Sequence, residues 1–244
     1  GNLISGSNKF FIGGGVSNTG SENSDSSSVV GGAGNLISGT TTSIIGAGAN
    51  NLIRQTSIHS NISAGQGNEI LASNRSSIGA GQGNRITGVS TRSIIGAGFE
   101  NLIHSGTSAT ISAGIGNIIS GATGGAIVAG TNNLLTGAGV HGQGALGGPS
   151  NYSIIGAGSG NTIHSSSGSL IDAGFANKIT GSHFSFIGAG SGNKITGGLN
   201  CSIEAGNTNL VSGSNDSSIF AGKNSTIENS INSLIGAGTG NQII

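Results

Sequence analysis

SIIGAGSGNTI, residues 153–163, decides the fold because the chain keeps returning to it: SFIGAGSGNKI at 185–195, SIIGAGFENLI at 93–103 and SLIGAGTGNQI at 233–243. Counted on the Asn of the unit, equivalent positions are Asn2, Asn18, Asn35, Asn51, Asn68, Asn84, Asn101, Asn117, Asn133, Asn161, Asn177, Asn193, Asn209, Ser225 and Asn241. The steps are 16 or 17 residues, apart from one of 28 between Asn133 and Asn161. A period this short is one coil of a solenoid, which cannot bury its apolar side alone and must stack on its neighbours.

Inside the unit the side chains alternate with period two, so Ser153, Ile155 and Ala157 face one way and Ile154 and Gly156 the other. The Ile155 column (Ile12, Ile45, Ile62, Ile78, Ile95, Ile111, Ile127, Ile171, Ile187, Ile203, Ile219, Ile235) hardly changes along the chain, so it faces the coil interior. The Ala157 column is Ala or Gly and is expected to keep that interior thin. A second short strand carries Asn161 to Ile163, with Ile163 inward. Two short strands and two turns in about 16 residues give an all-β parallel β-solenoid with a flattened coil. About 15 such coils would make a rod on the order of 70 Å long.

Asn51, Asn68, Asn84, Asn101, Asn117, Asn161, Asn177 and Asn193, with Ile45, Ile95, Ile155, Ile187 and Ile235, are read as structural ladders. Stacked amides can bond coil to coil. Alternatively, Asn follows the Gly turn because it tolerates the left-handed conformation. Gly156, Gly158 and Gly160 serve the turn. A phosphate-binding Gly loop is rejected, since GAGSGN recurs in nearly every coil and no helix follows.

Composition fits a fibrous repeat better than a globule: 50 Gly, 3% aromatic and 7% charged residues, with no Trp or Met. Net charge is zero and no basic patch stands out, which argues against nucleic acid. The single Cys201 excludes an intrachain disulfide and occupies a position usually held by Ser, so it reads as a small buried thiol. No apolar run of 18 residues predicts membrane insertion. The chain opens in mid-repeat with GNLISG and closes with GNQII, so we expect one repeat domain over 1–244, cut from a longer fibrous protein. Irregular segments are expected at 19–28, a protruding polar turn, and at 136–152. The 28-residue step falls in the second, leaving one coil short or replaced by a loop that could bind.

Outward columns carry any specificity. Ile44, Ile94, Ile154, Leu170, Phe186 and Leu234 share the Ile154 column and would form an exposed apolar stripe, the candidate oligomer interface. A stripe parallel to the solenoid axis is most simply buried in a rotationally symmetric bundle of identical chains. In the Thr162 column, Glu69 and Arg85 sit one coil apart and should pair. Lys178 and Lys194 stack as like charges, implying free solvation or an acidic partner.

Chemistry is thin. Asp172 and Glu204 lie in one outward column two coils apart, a spacing of roughly 9–10 Å that approaches an inverting glycosidase pair. They are the only catalytic candidates, and the chain is read as not an enzyme. The histidines His59, His104, His141, His164 and His183 have no ligand spacing, so neither metal nor cofactor is expected, although a His on a threefold axis could meet its two symmetry mates. The many Ser residues are turn and ladder residues.

SIIGAG at 93–98 and 153–158 and SFIGAG at 185–190 resemble the head repeats of YadA-type trimeric autotransporter adhesins. FIGGGVSN at 11–18 is similar to the IGGG-x-x-N repeats of phage and large-virus fibres, often set ahead of an endosialidase-type chaperone. The resemblance covers essentially the whole chain. It implies a left-handed β-roll, assembled as a homotrimer and displayed extracellularly on a cell surface or virion tail fibre. The coil, at about 16 residues, is longer than the adhesin repeat, which favours a fibre. The function this implies is attachment to a cell-surface receptor, glycan or matrix protein. A polysaccharide-degrading tailspike is the alternative. An ice- or crystal-binding solenoid is a third, weakened by the absence of a sustained Thr-x-Thr array.

Overall fold

The computed structural model describes residues 1–137 and 151–244. These form an all-β parallel solenoid of about 14 turns, with coils of about 16 residues. The chain divides into two compact units, 1–116 and 117–244, described separately below.

Each coil contributes one strand of two or three residues to one sheet and a two-residue strand to the other. In the first unit the three-residue strands run from Leu3–Ser5 to Leu102–His104 and the two-residue strands from Phe11–Ile12 to Thr110–Ile111. In the second the three-residue strands run from Ile118–Ser120 to Thr226–Glu228, followed in the same sheet by the two-residue Gln242–Ile243, and the two-residue strands of the other sheet from Ala126–Ile127 to Leu234–Ile235. Pairing is parallel and strictly in register, as in Ile45↔Ile62, Ile78↔Ile95 and Ile187↔Ile203. Like side chains therefore sit on like, as the period requires.

Away from the first and last coils both Ile columns are sealed. Ile45, Ile95, Ile155 and Ile187 of one sheet, and Ile53, Ile103, Ile163 and Ile195 of the other, have no solvent exposure. Each such side chain contributes about 1.5–3 kcal/mol by leaving water. Between the columns the Asn side chains bond along the stack. Asn68 Oδ1 accepts the Asn84 N–H at 3.0 Å, while Asn68 Nδ2 donates to Gly81 O of the next coil at 3.0 Å. Of the two Asn readings the ladder is the one found. The left-handed residue is the one before it, such as Asn50 (φ 55°) or Gly160 (φ 65°).

Two serine ladders line the other turn. Ser60 N–H donates to Ser43 Oγ at 3.2 Å and Ser73 N–H to Ser57 Oγ at 3.1 Å. In the second unit, Ser185 N–H donates to Ser169 Oγ at 3.2 Å and Ser182 N–H to Ser166 Oγ at 3.1 Å. The spacing S-x-x-S thus brings two inward hydroxyls per coil onto backbone groups that no strand satisfies.

Gly158 shows why its column never varies. Its φ is +93°, and an added Cβ would meet Gly174 O at 2.1 Å. The Ala157 column behind it departs from expectation: Ala157 is half-buried and Ala47 exposed. The strand has already ended, so alternation no longer applies and these methyls cover the turn instead of thinning the core.

The 17-residue coils differ from the 16-residue ones at a single turn. Glu22 with Asn23, Gln55 with Thr56, and Gly88 with Val89 are paired left-handed residues where other coils have one. The extra residue stays in the turn and both strands keep register. Segment 19–28 is accordingly more regular than expected. Thr19–Ser21 and Ser28–Val29 are strands, and Ser24 and Ser27 between them are buried in the ladders.

The 28-residue step removes no coil. Asn161 N–H still donates to Asn133 Oδ1 at 3.0 Å, and Leu134 pairs with Thr162. The additional residues fall in 138–150, so the loop expected over 136–152, with His141 and Pro149, lies mostly outside the described residues.

One coil exchanges its core. Gly20 stands where its neighbours have Ile37 and Ile53, and Phe10 where they have Ser27 and Ser43. Carbons of the Phe10 ring lie 2.4–2.7 Å from the place a Gly20 Cβ would take. The ring fills the volume that the missing isoleucine leaves.

Candidate functional site

With inward positions committed to packing, any site is built on outward side chains and turn edges. The Ile154 column is a broken stripe in the first unit. Phe11, Ile44 and Ile94 are exposed, but Ser28, Asn61 and Ser77 come between them in register. The continuous apolar stripe expected there is therefore not found. In the second unit Ile154, Leu170 and Phe186 occupy three successive coils. Ile154 is 41% exposed, while Leu170 and Phe186 are half-buried by stacking on one another. Leu234, 55% exposed, stands apart beyond Ser202 and Ser218.

On the other sheet of the first unit, Glu69 is the one acidic side chain held nearly out of water. It pairs with Arg85 at 3.1 Å, as the spacing predicts, and also with Arg54 at 2.7 Å. Arg54 is one coil earlier and two residues beyond Leu52, the register partner of Glu69, so a column-by-column reading passes over it. The trio is internally neutralised except for one positive charge, and the arginines remain half-exposed. Its value is that of a surface network, below about 1 kcal/mol per pair.

Asp172 and Glu204 are both exposed, on coils either side of Gly188. The Phe186 ring lies 3.2 Å from the place a Gly188 Cβ would take, between the two acidic coils. Neither carboxylate makes a side-chain hydrogen bond or ion pair among the described residues, and no described concavity joins them. This arrangement holds neither carboxylate in position as an acid or a base.

Three of the described histidines serve the stack, while His59 is exposed on a turn edge. His104 Nδ1 bonds Thr87 Oγ1 at 3.1 Å, His164 Nδ1 bonds Thr136 Oγ1 at 2.7 Å, and His183 Nδ1 accepts the Ser167 N–H at 3.1 Å. Among the described residues no three His, Cys, Asp or Glu side chains come together as metal ligands. Cys201 substitutes for a ladder serine as expected: it is buried, and its Sγ donates to Ser214 O at 2.8 Å. Burial pushes its pKa above the usual thiol range. The nearby Asp216 charge adds to this, and the hydrogen-bonding backbone at Ser217 and Leu199 opposes it.

No family model and no curated protein matches the sequence. The reading of function therefore rests on the surface itself.

One surface column escaped the sequence reading. The residue before each position of the column of Ser43 and Ser185 is left-handed whatever its identity; those with a side chain are Lys9, Ser26, Thr42, His59, Arg75, Arg92 and Ser108 in the first unit, and Tyr152, Phe184, Asn200, Asp216 and Asn232 in the second, all with φ between 51° and 56°. Their side chains project from one turn edge in each unit. In the second, the rings of Tyr152 and Phe184 lie 2.7 Å from where a Cβ would stand on Gly124 and Gly168 of the preceding coil. Glycine in one coil thus makes room for an aromatic ring in the next.

Proposed function

We propose that this chain is a segment of a surface-displayed attachment fibre, a left-handed β-roll that works as a homotrimer. The observation that carries the reading is the outward run Ile154, Leu170 and Phe186 on three successive coils. A contiguous apolar strip on a scaffold whose described residues form no catalytic constellation favours burial against like chains. Stacked coils supply rigidity, and threefold symmetry would multiply weak identical contacts with a cell-surface receptor, glycan or matrix protein. Its place would be extracellular, on a cell surface or a virion tail fibre, with no reaction catalysed.

The test couples assembly to adhesion. Beads coated with the chain are presented to cultured cells and to immobilised matrix proteins. Beads carrying the Ile154→Lys, Phe186→Lys variant, which should be monomeric, serve as comparison. Adhesion by the parent and its loss in the variant support the reading. A parent that forms trimers yet adheres to no surface overturns it.

A further inference from the structure

On the left-handed turn edge of the first unit, three successive coils place His59, Arg75 and Arg92 in one column. They share φ values of 56°, 53° and 56° and hang from the preceding coil by equivalent bonds: His59 N–H to Thr41 O, Arg75 N–H to Ile58 O and Arg92 N–H to Asn74 O, at 3.1, 2.8 and 3.0 Å. All three are exposed. Coils repeat at about 4.8 Å, so two guanidinium groups leave the backbone side by side. Like charges stacked in register repel. Arg54 and Arg85, on the strand face, have that repulsion relieved by Glu69. Arg75 and Arg92 make no ion pair among the described residues. The same edge is concave: Ile58, His59, Asn74, Arg75 and Thr91 line a shallow hollow of about 410 Å³.

We propose that this edge is a binding site for an acidic polysaccharide, one whose sulfate or carboxylate groups recur along a linear chain. The inference rests on the attachment reading and names its ligand class. Guanidinium forks engage either oxyanion in two parallel bonds. A ladder of donors at coil pitch suits a polymer lying along the column better than a compact ion. Single-stranded nucleic acid would call for stacking aromatics between the charges, and this column has none besides the His59 imidazole.

The test is binding of the intact chain to immobilised heparin and to polygalacturonate, with neutral dextran and single-stranded DNA as comparisons. Both acidic glycans, or one of them, should bind, and dextran should not. Which of them binds tells whether sulfate or carboxylate is the source. Arg75→Asn with Arg92→Asn should weaken binding about tenfold or more, because each lost charge-assisted pair approaches a tenfold factor. Asn is chosen because it tolerates the left-handed backbone, so the fold should survive. Arg75→Lys with Arg92→Lys should fall between. Lys178→Gln with Lys194→Gln, the other unpaired cationic stack, should leave binding unchanged. Equal binding of DNA, no loss in the Arg double variant, or loss in the Lys178/Lys194 variant instead would each overturn the proposal. If the chain adheres to cells but ignores acidic glycans, this inference fails and the attachment reading stands. If it adheres to nothing, that reading itself has failed.

Discussion

Replacing Asn68 with Ala removes one rung of the amide ladder. Asn68 is fully buried, and its Oδ1 accepts both the Asn84 N–H at 3.0 Å and the Asn84 Nδ2 at 3.2 Å. Its own Nδ2 donates to Asn51 Oδ1, Ala64 O and Gly81 O at 3.2, 3.2 and 3.0 Å. Not all of these partners are stranded by the change. Gly81 O keeps the Gln66 N–H, and Asn84 Nδ2 keeps Ala80 O and Gly98 O. The Asn84 N–H loses its acceptor in a site closed to water, at a cost of about 1–3 kcal/mol. The vacated volume adds about 1 kcal/mol. The expected loss is therefore about 2–4 kcal/mol, which lowers the unfolding midpoint by roughly 5–15 °C for a chain of this size. Urea unfolding followed by far-ultraviolet circular dichroism measures the total, and hydrogen exchange at the Asn84 amide locates it. Asn68→Asp keeps the shape but brings a carboxylate among three acceptors. Burial there raises the introduced carboxyl above the unfolded aspartate value of about 3.9. Its penalty is thus smallest below about pH 4 and grows as pH rises through the folded-state value. An Asn68→Ala chain within about 0.5 kcal/mol of the parent, or an Asn68→Asp chain insensitive to pH, would refute the ladder as a source of stability.

Ser225 interrupts the ladder naturally and leaves its buried Oγ without a partner; Ser225→Asn should restore the rung and stabilise by about 1 kcal/mol in the same urea assay. Phe10 and Gly20 should be coupled: Gly20→Ile alone costs about 1–3 kcal/mol by overpacking, and Phe10→Ser alone, at a half-buried ring, about 1–3 kcal/mol through a partial cavity. The double variant, which restores the ordinary Ser and Ile of the other coils, should recover most of both in a double-mutant cycle. Cys201 should resist alkylation by iodoacetamide at neutral pH in the folded chain and react at the ordinary thiol rate in denaturant. Because its folded pKa is raised, the stability it contributes is present below the unfolded thiol value and fades as pH climbs through the folded one, a decline that Cys201→Ser should abolish.

How much of this was legible depended on whether a position is fixed by identity or by backbone. Ile155, Asn161 and Gly158 repeat by name, so their columns announce the coil, its inward faces and its ladder. The Glu69–Arg85 pair followed from register alone. The exposure of Ala47 and the half-burial of Ala157 did not, because strand alternation was carried two residues past the strand's end. The turn edge was invisible for the opposite reason. His59, Arg75 and Arg92 share a conformation but no residue type with Ser26 or Thr42, and only φ unites them. The exchange of Phe10 for Gly20 needs two columns read together, since each alone looks like a lapse in the repeat. The apolar stripe was over-read in the first unit because Ile44 and Ile94 share a column but are separated in it by Asn61 and Ser77.

The decisive measurement is the mass of the chain in solution by sedimentation equilibrium over a range of dilutions. The attachment-fibre account predicts a species of three times 23.4 kDa that falls to single chains when Ile154 and Phe186 are both changed to Lys. A parent chain that sediments as a monomer at every concentration would contradict it, since the outward run of Ile154, Leu170 and Phe186 would then have nothing to bury it.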